Sequence, residues 1–352
     1  DNASGNLNEP IATLHHAAKL TRENVGKIPV TIYLSGGLYQ LTEPLELNIK
    51  DGGTENAPIK WQAMPGGKPI ISGGIFIKNW KEEDDGSWSA SLPPGYTGKF
   101  RSFYVNDKRA IRARFPNNEY LRINKAGQDN RTNFFFKNGE IPKIESSKNL
   151  ELVFLHDWSI TRIGITSIDW KGNHIIAVDS IGSRLPFFTL TNWEEHPRFY
   201  LENAKEFCDK PGEWYCDFNN QKIFYHPLDG EKLEETVGVI PVAEKLLEIK
   251  GSKGNKVSFI SFEGITFQHT SWLIPETGYC GIQACMYNDR GSKAKEWNKV
   301  PAAIHVDLAE NIRFKNCTIK HTGGSGIWIR ENCTSCEISE SHIYDISGNG
   351  IN

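Results

Sequence analysis

The C-terminal third of this chain repeats without a gap. Asn311-Ile312-Arg313-Phe314-Lys315-Asn316-Cys317-Thr318-Ile319-Lys320-His321 is followed, 24 residues on, by Ser335-Cys336-Glu337-Ile338-Ser339-Glu340-Ser341-His342-Ile343-Tyr344-Asp345. A third copy lies upstream, at Phe262, Ile265, Phe267, Gln268, His269 and Thr270. Alternating apolar residues within a period in the twenties mark a stacked β-solenoid, because each unit buries its apolar face only against its neighbours. The repeat puts His269, His321 and Asp345 at one position, so a solenoid would stack them in one column.

Composition agrees with an all-β chain. Only 10–25, with Ile11, Leu14, Ala17, Ala18 and Leu20, reads as an amphipathic helix. The rest alternates with period two between Gly-rich turns. A net charge of −3 leaves no basic footprint for nucleic acid. No stretch is apolar enough to span a membrane. No signal peptide is visible, though Asp1 can follow a cleavage site. Seven cysteines argue against a complete disulfide framework. Cys208 and Cys216 can pair across a hairpin. Cys333 and Cys336 have metal-type spacing without a second pair, and Cys336 sits at an apolar repeat position, so it reads as a buried thiol.

Three stretches follow. Residues 1–78 carry the helix and strands at Val30–Leu34, Leu45–Ile49, Ile59–Ala63 and Pro69–Ser72, as first rungs capped by the helix. A cap is required because an open solenoid end leaves unpaired strand edges. Residues 79–236 lose the repeat and read as an inserted antiparallel β-domain, sandwich-like. Residues 237–352 resume the rungs, with an excursion at 271–300. Right-handedness is expected from the bias of parallel crossovers. The chain ends within a rung, which reads as a piece of a longer polypeptide.

The strand after each glycine corner shows an outward face. In Ala303-Ile304-His305-Val306-Asp307 and Gly326-Ile327-Trp328-Ile329-Arg330 the isoleucines and valine point inward, so His305, Asp307, Trp328 and Arg330 point out. Trp328 offers an apolar face for a sugar ring, and Arg330 a fork for carboxylate or hydroxyls. His269, His321 and Asp345 lie just before the turn into this face. Rungs are about 4.8 Å apart, so column neighbours can hydrogen-bond. The plain reading of any one of them is a polar ladder satisfying turn amides. The 271–300 excursion carries Trp272, Glu276, Tyr279, Gln283, Tyr287, Asp289, Arg290 and Trp297 and is expected to overhang the same face. Arg112 and Arg114 alternate with Ile111, Ala113 and Phe115, and read either as a buried pair bridging the inserted domain to the solenoid or as a substrate clamp. His156-Asp157-Trp158 and Glu194-Glu195-His196 do not place metal ligands on one face. Gly323-Gly324-Ser325-Gly326 lacks a phosphate-loop lysine and reads as a rung corner.

Several segments then carry a resemblance. They are Pro10-Ile11-Ala12-Thr13-Leu14, Gly53-Thr54-Glu55-Asn56-Ala57-Pro58-Ile59, Pro69-Ile70-Ile71-Ser72-Gly73-Gly74, and Tyr104 through Asn117. Phe199-Tyr200-Leu201-Glu202-Asn203, Pro211-Gly212-Glu213-Trp214-Tyr215 and Gly348-Asn349-Gly350-Ile351 complete the set. Over essentially the whole chain the pattern is similar to glycoside hydrolase family 141, and to other right-handed β-helix enzymes with an inserted β-sandwich such as the β-xylosidases of family 120. The resemblance implies α-L-fucosidase- or xylanase-like activity in a secreted or periplasmic enzyme that degrades a complex plant or algal glycan. In such enzymes an acidic pair can lie on rungs beyond Asn352, so the site residues here come from this sequence's own columns.

These readings converge on a glycoside hydrolase using carboxylates as acid and nucleophile or base. Asp345 is the first candidate and Asp307 the second, with His321 tuning Asp345. His269, Trp272, Tyr279, Gln283, His305, Trp328, Arg330 and Asn349 are the candidate sugar-binding residues. Carboxylates one rung apart, at about 5 Å, would suit retention; two rungs apart, near 10 Å, inversion. No cofactor is indicated; calcium would need an acidic cluster that the sequence does not show. The alternatives are a polysaccharide lyase on the same scaffold, with Arg330 or His321 acting on a uronate, and a non-catalytic glycan-binding β-helix.

Overall fold

The computed structural model describes residues 3–156, 158–185, 187–282, 287–288 and 298–352. Asp157, Gln283, Asp289, Arg290 and Trp297 lie outside the described residues. The chain divides into two units, one of residues 1–75, 239–272 and 301–352, the other of 76–238 and 273–300.

The first unit is a parallel β-helix of three sheets. One joins Val30–Leu34, Ile59–Ala63, Val257–Glu263, Ala309–Lys315 and Glu337–Ser339. The next joins Gly37–Gln40, Pro69–Ser72, Thr266–Thr270, Thr318–Thr322 and His342–Ile346. The third joins Leu45–Leu47, Leu247–Lys250, Ala302–Asp307 and Ser325–Ile329. Rungs stack across the whole insertion: Ile59 pairs with Ile260, Ile71 with Phe267 and Leu47 with Ile249.

Inward positions form ladders of like residues. Trp61, Phe262 and Phe314 are register partners and stack nearly parallel, with ring centroids 6.2 and 5.2 Å apart. Ile71, Phe267, Ile319 and Ile343 form the second ladder, and Leu45, Leu247, Ile304 and Ile327 the third. All but Ile343 are fully buried in one core, and Ile343 packs against it. Burying such side chains contributes about 1.5–3 kcal/mol each. The period-two alternation of the sequence therefore becomes the inside and outside of the tube.

The helix at the start is shorter than its apolar pattern suggests, Leu14–Thr21 instead of 10–25. Thr13 caps it by accepting the His16 N–H at 3.2 Å, and Asn24 and Gly26 (φ 71°) turn the chain after it. Leu14, Ala17 and Ala18 bury into the β-helix core.

The corners of the rungs also align in columns. Gly264, Asn316 and Glu340 all take left-handed backbone angles, as do Phe259, Asn311 and Ser335, and His269, His321 and Asp345. Such angles cost non-glycine residues about 1–2 kcal/mol, least for Asn, Asp and His. The Gly-Gly-Ser-Gly segment is a corner as expected. A Cβ on Gly324 would lie 2.3 Å from the Pro301 carbonyl oxygen of the rung below.

The second unit is mainly antiparallel. Its large sheet is built round the hairpin Glu151–His156 and Ser159–Asp169 with Arg198–Glu202 alongside. A smaller sheet pairs Trp88–Ser91, Lys222–Tyr225 and Glu213–Asp217. Leu152, Phe154, Ile163, Phe199 and Leu201 bury from the large sheet into the unit's own core. The opposite positions carry charge. Glu151 and Glu202 stand directly across from each other, an arrangement that repels unless neutralised. Arg112 and Arg162 bridge both carboxylates at 2.8–3.3 Å, and Arg101 binds Glu151 at 2.5 Å. Burial alone would raise the Glu151 carboxyl, but Arg101, Arg112 and Arg162 outweigh it and hold it below the usual carboxylate range.

Arg112 thus serves a network within the second unit, and Arg114 lies over the Tyr200 ring and donates to the Pro116 and Glu119 carbonyls of the same unit. Neither the bridging nor the clamp reading of this pair describes these contacts. Tyr279–Ile282, expected to overhang the β-helix, pairs instead with Ser159–Arg162 as an edge strand of the second unit. Cys208 and Cys216 are free thiols, so the hairpin disulfide does not form. Cys333 and Cys336 are also free and pack against the β-helix core.

Candidate active site

The column at the second corner of the rungs is a connected polar chain. Its residues share a left-handed turn, with φ of 62° at His269, 55° at His321 and 50° at Asp345. The turn interrupts strand pairing at these positions only: Gln268 pairs with Lys320 and Thr270 with Thr322, while the histidines between them do not pair. Their side chains stack instead. The His269 and His321 rings lie 5.4 Å apart and 13° from parallel, a rung spacing.

His321 is buried and its Nδ1 donates to Asp345 Oδ2 at 2.5 Å. Asp345 itself is the outermost of the set, with 28% of its side chain exposed. At the other end, Ser72 Oγ meets His269 Nδ1 at 2.9 Å and accepts the Gly74 N–H at 3.2 Å. Ser72 was not among the residues picked from the repeat. It belongs to the first half of the chain, where the repeat is too degraded to align, and only the stacking of rungs across the insertion brings it here. The column therefore runs Ser72, His269, His321, Asp345, from buried hydroxyl to partly exposed carboxylate. A carboxyl group held by a buried histidine is a group that can take part in proton transfer.

One position earlier lie Gln268, Lys320 and Tyr344, also in register. Gln268 and Lys320 are buried, and Tyr344 is half exposed with its edge toward His321, 6.4 Å between centroids. The same 24-residue offset would have found this second column.

The third-sheet face is more closed than the alternation implies. His305 and Trp328 do point away from the core ladder, but both are buried, with rings 5.4 Å apart. Trp328 is therefore no open platform. The Arg330 guanidinium lies 4.9 Å over its ring and reaches Asp307 at 3.3 Å. His305 Nε2 accepts the Ala302 N–H at 2.9 Å. That assigns it the neutral tautomer with hydrogen on Nδ1, since a protonated ring has no acceptor. Asn349 fastens the next corner through its backbone, donating to Ser325 Oγ at 3.3 Å and accepting from Gly326 at 2.9 Å.

Of the sugar-binding candidates, Trp272 is half-buried in the first unit, Tyr279 is buried in the second, and Gln283 lies outside the described residues. Among the described residues, His156 and His196 join no metal-like set: His156 sits among aromatic rings, and His196 Nδ1 meets the Ile123 carbonyl at 3.1 Å.

Comparison with known proteins agrees with this architecture. Residues 86–228 match the GH141 insertion domain, and residues 247–352 match the right-handed β-helix region. The latter supplies the hand of the coil. A solved structure described as a glycoside hydrolase superposes with a TM-score of 0.83 at 29% identity, covering 99% of this chain and 65% of its own. The present chain thus spans about two thirds of that protein's length. A complex of XylC with xylose covers 98% of this chain and 52% of its own at 14% identity, with a TM-score of 0.47, too distant to inform function. No curated protein matches. Among the described residues, no helix is long and apolar enough to cross a membrane.

Proposed function

We propose that this protein, a β-helix chain with an inserted domain like that of glycoside hydrolase family 141, hydrolyses glycosidic bonds in a complex plant or algal polysaccharide or oligosaccharide. The observation that carries this reading is the match to a glycoside hydrolase structure over nearly the whole chain, insertion included. The resemblance favours an α-L-fucoside or a xylan as substrate. A polymer of that kind would place the enzyme outside the cytoplasm, secreted or periplasmic.

Asp345 is the carboxylate assigned to the chemistry. It is partly exposed, and His321 fixes one of its oxygens, so the group is oriented without being closed off. His321 is itself held between Asp345 and the His269 ring, and Ser72 holds His269. Histidine and serine are thus positioning residues, and the carboxylate touches substrate. Glycosidases pair such a group with a second carboxylate about 5 Å away for retention or about 6.5–9.5 Å for inversion. Asp307 is neutralised by Arg330, which suits a structural or sugar-orienting role better than proton transfer. Tyr344, half exposed beside the column, is placed to pack on a sugar ring. A lyase would need Arg330 to neutralise a uronate, and Arg330 is already engaged by Asp307 and Trp328.

The test is product analysis on a panel of plant and algal polysaccharides with wild type and Asp345→Asn. New reducing ends without unsaturated uronate are expected from wild type. Turnover by the variant should fall by roughly 10²–10⁴-fold with binding retained. An unsaturated product would point to a lyase, and unchanged turnover in the variant would remove Asp345 from the chemistry.

A further inference from the structure

The second unit exposes aromatic side chains from two loops that meet at one buried anchor, His156. Trp158 at the tip of the Glu151–Asp169 hairpin is 60% exposed, and Phe187 in the loop 179–193 is 63% exposed. Trp193 and Leu185 of the same loop are also exposed. His156 and Phe188 are buried, with ring centroids 4.9 Å apart, and Trp193 packs on both, at 6.0 and 4.9 Å. Phe187 is the chain neighbour of buried Phe188, and Trp158 lies two residues from buried His156.

The loop that carries them is pinned. The Ile181 N–H donates to the Arg131 carbonyl at 2.8 Å and the Leu190 N–H to the Asn130 carbonyl at 2.9 Å, and both side chains are fully buried. Arg131 also donates to the Ser183 carbonyl at 3.1 Å. Large apolar rings on a fastened loop form a surface that costs little to order on binding. His156 adds an independent sign. It is 2% exposed, and among the described residues its ring nitrogens find only a weak backbone partner at Leu190. A buried polar group so weakly satisfied is costly and points to a role.

We propose that Trp158, Phe187 and Trp193 form a carbohydrate-binding platform on the inserted unit, distinct from the Asp345 column, that takes neutral pyranose units of a glycan chain. The C–H face of a pyranose is apolar and packs flat on such rings, while its rim of hydroxyls needs polar partners. The exposed Asp179–Arg184 pair on the same loop, at 2.7 Å, offers both an acceptor and a donor. A few large side chains on two loops are too small a patch for a stable protein interface, which takes about 20–30 residues a side. A short run of sugar rings fits that extent.

The experiment is native affinity electrophoresis of the whole chain in soluble xylan, fucoidan and dextran, with the Trp158→Ala/Phe187→Ala variant alongside. Both residues are exposed, and an unchanged thermal midpoint will verify the fold. At least one polysaccharide should retard wild type, and the double variant should bind about tenfold more weakly. Trp158→Tyr should largely keep the retardation. Asp345→Asn should be retarded like wild type, so this result stands or falls apart from the hydrolase reading. Equal retardation of wild type and double variant, or no retardation of wild type by any of the three, overturns the proposal. So does sedimentation showing that the double variant has only lost self-association.

Discussion

The two units bury polar groups in opposite ways. In the β-helix, the polar residues of the candidate site form a line, two stacked histidines one rung apart bonded to Ser72 on one side and Asp345 on the other. In the inserted unit, Arg101, Arg112 and Arg162 with Glu151 and Glu202 close a knot whose members come from five separate strands or loops. The column links a hydroxyl, two imidazoles and a carboxylate along the stack. The knot satisfies two carboxylates that the sheet register forces together. Burial of charge alone therefore does not mark a site here: the more perturbed groups are structural, and the candidate catalytic acid is the one that the repeat places beside a buried histidine.

Breaking the knot should have the largest effect. Glu151→Gln takes the carboxylate from Arg101 and leaves Arg112 and Arg162 sharing Glu202, and removing one partner of a buried pair costs about 3–5 kcal/mol. Hydrogen exchange should show the loss in the second unit, around 151–169 and 198–202, while the β-helix core ladders keep their protection. Loss of protection in both units alike would show that the knot is not local to the second.

The next prediction separates the units by pH. Burial lowers the His156 imidazole from its ordinary 6.5 to about 4, with the Leu190 carbonyl offsetting a little. The unfolded chain therefore takes up a proton first as pH falls. The neutral ring's stability is complete above about 6.5 and is lost as pH drops toward about 4. The shift amounts to something on the order of 3 kcal/mol. Denaturant midpoints at neutral pH and near pH 4 should show this loss in wild type and a shallower one in His156→Phe. An equal slope in the variant would assign the acid sensitivity elsewhere.

The smallest effect tests the columns. Glu340 takes a left-handed backbone at a corner where its column mates are Gly264 and Asn316. Its ion pair with Lys315, 3.7 Å long and exposed, is worth little. Glu340→Gly should therefore raise β-helix stability by up to about 1 kcal/mol. A lower denaturant midpoint would show that the corner geometry is less strained than its angles imply.

Much of the β-helix was legible before any coordinates. The 24-residue offset aligns Phe314 with Ile338 and His321 with Asp345, and the structure pairs or bonds both couples. The strands at Val30–Leu34, Ile59–Ala63 and Pro69–Ser72 fall where alternation puts them. Gly37–Gln40 was missed because it is short and half its residues are not apolar. Ser72 was missed as a site residue for a related reason: its rung diverges from the repeat. The open sugar platform expected at Trp328 failed because alternation says which way a side chain points, not what then covers it. The 271–300 excursion was expected to overhang the β-helix face, yet Tyr279–Ile282 completes a sheet of the other unit, a pairing between segments more than a hundred residues apart.

The sequence by itself determined the rung, the inward ladders and the column that joins His269, His321 and Asp345. Those follow from a short period repeated in register, and parallel stacking carries a local pattern straight into space. Only the tertiary structure decided that Ser72 is bonded to that column, that Arg330 is spent on Asp307, and that Phe188 and Trp193 pack on His156. Each of these depends on which distant segment lies alongside, and antiparallel pairing across long loops leaves no periodic trace in the chain.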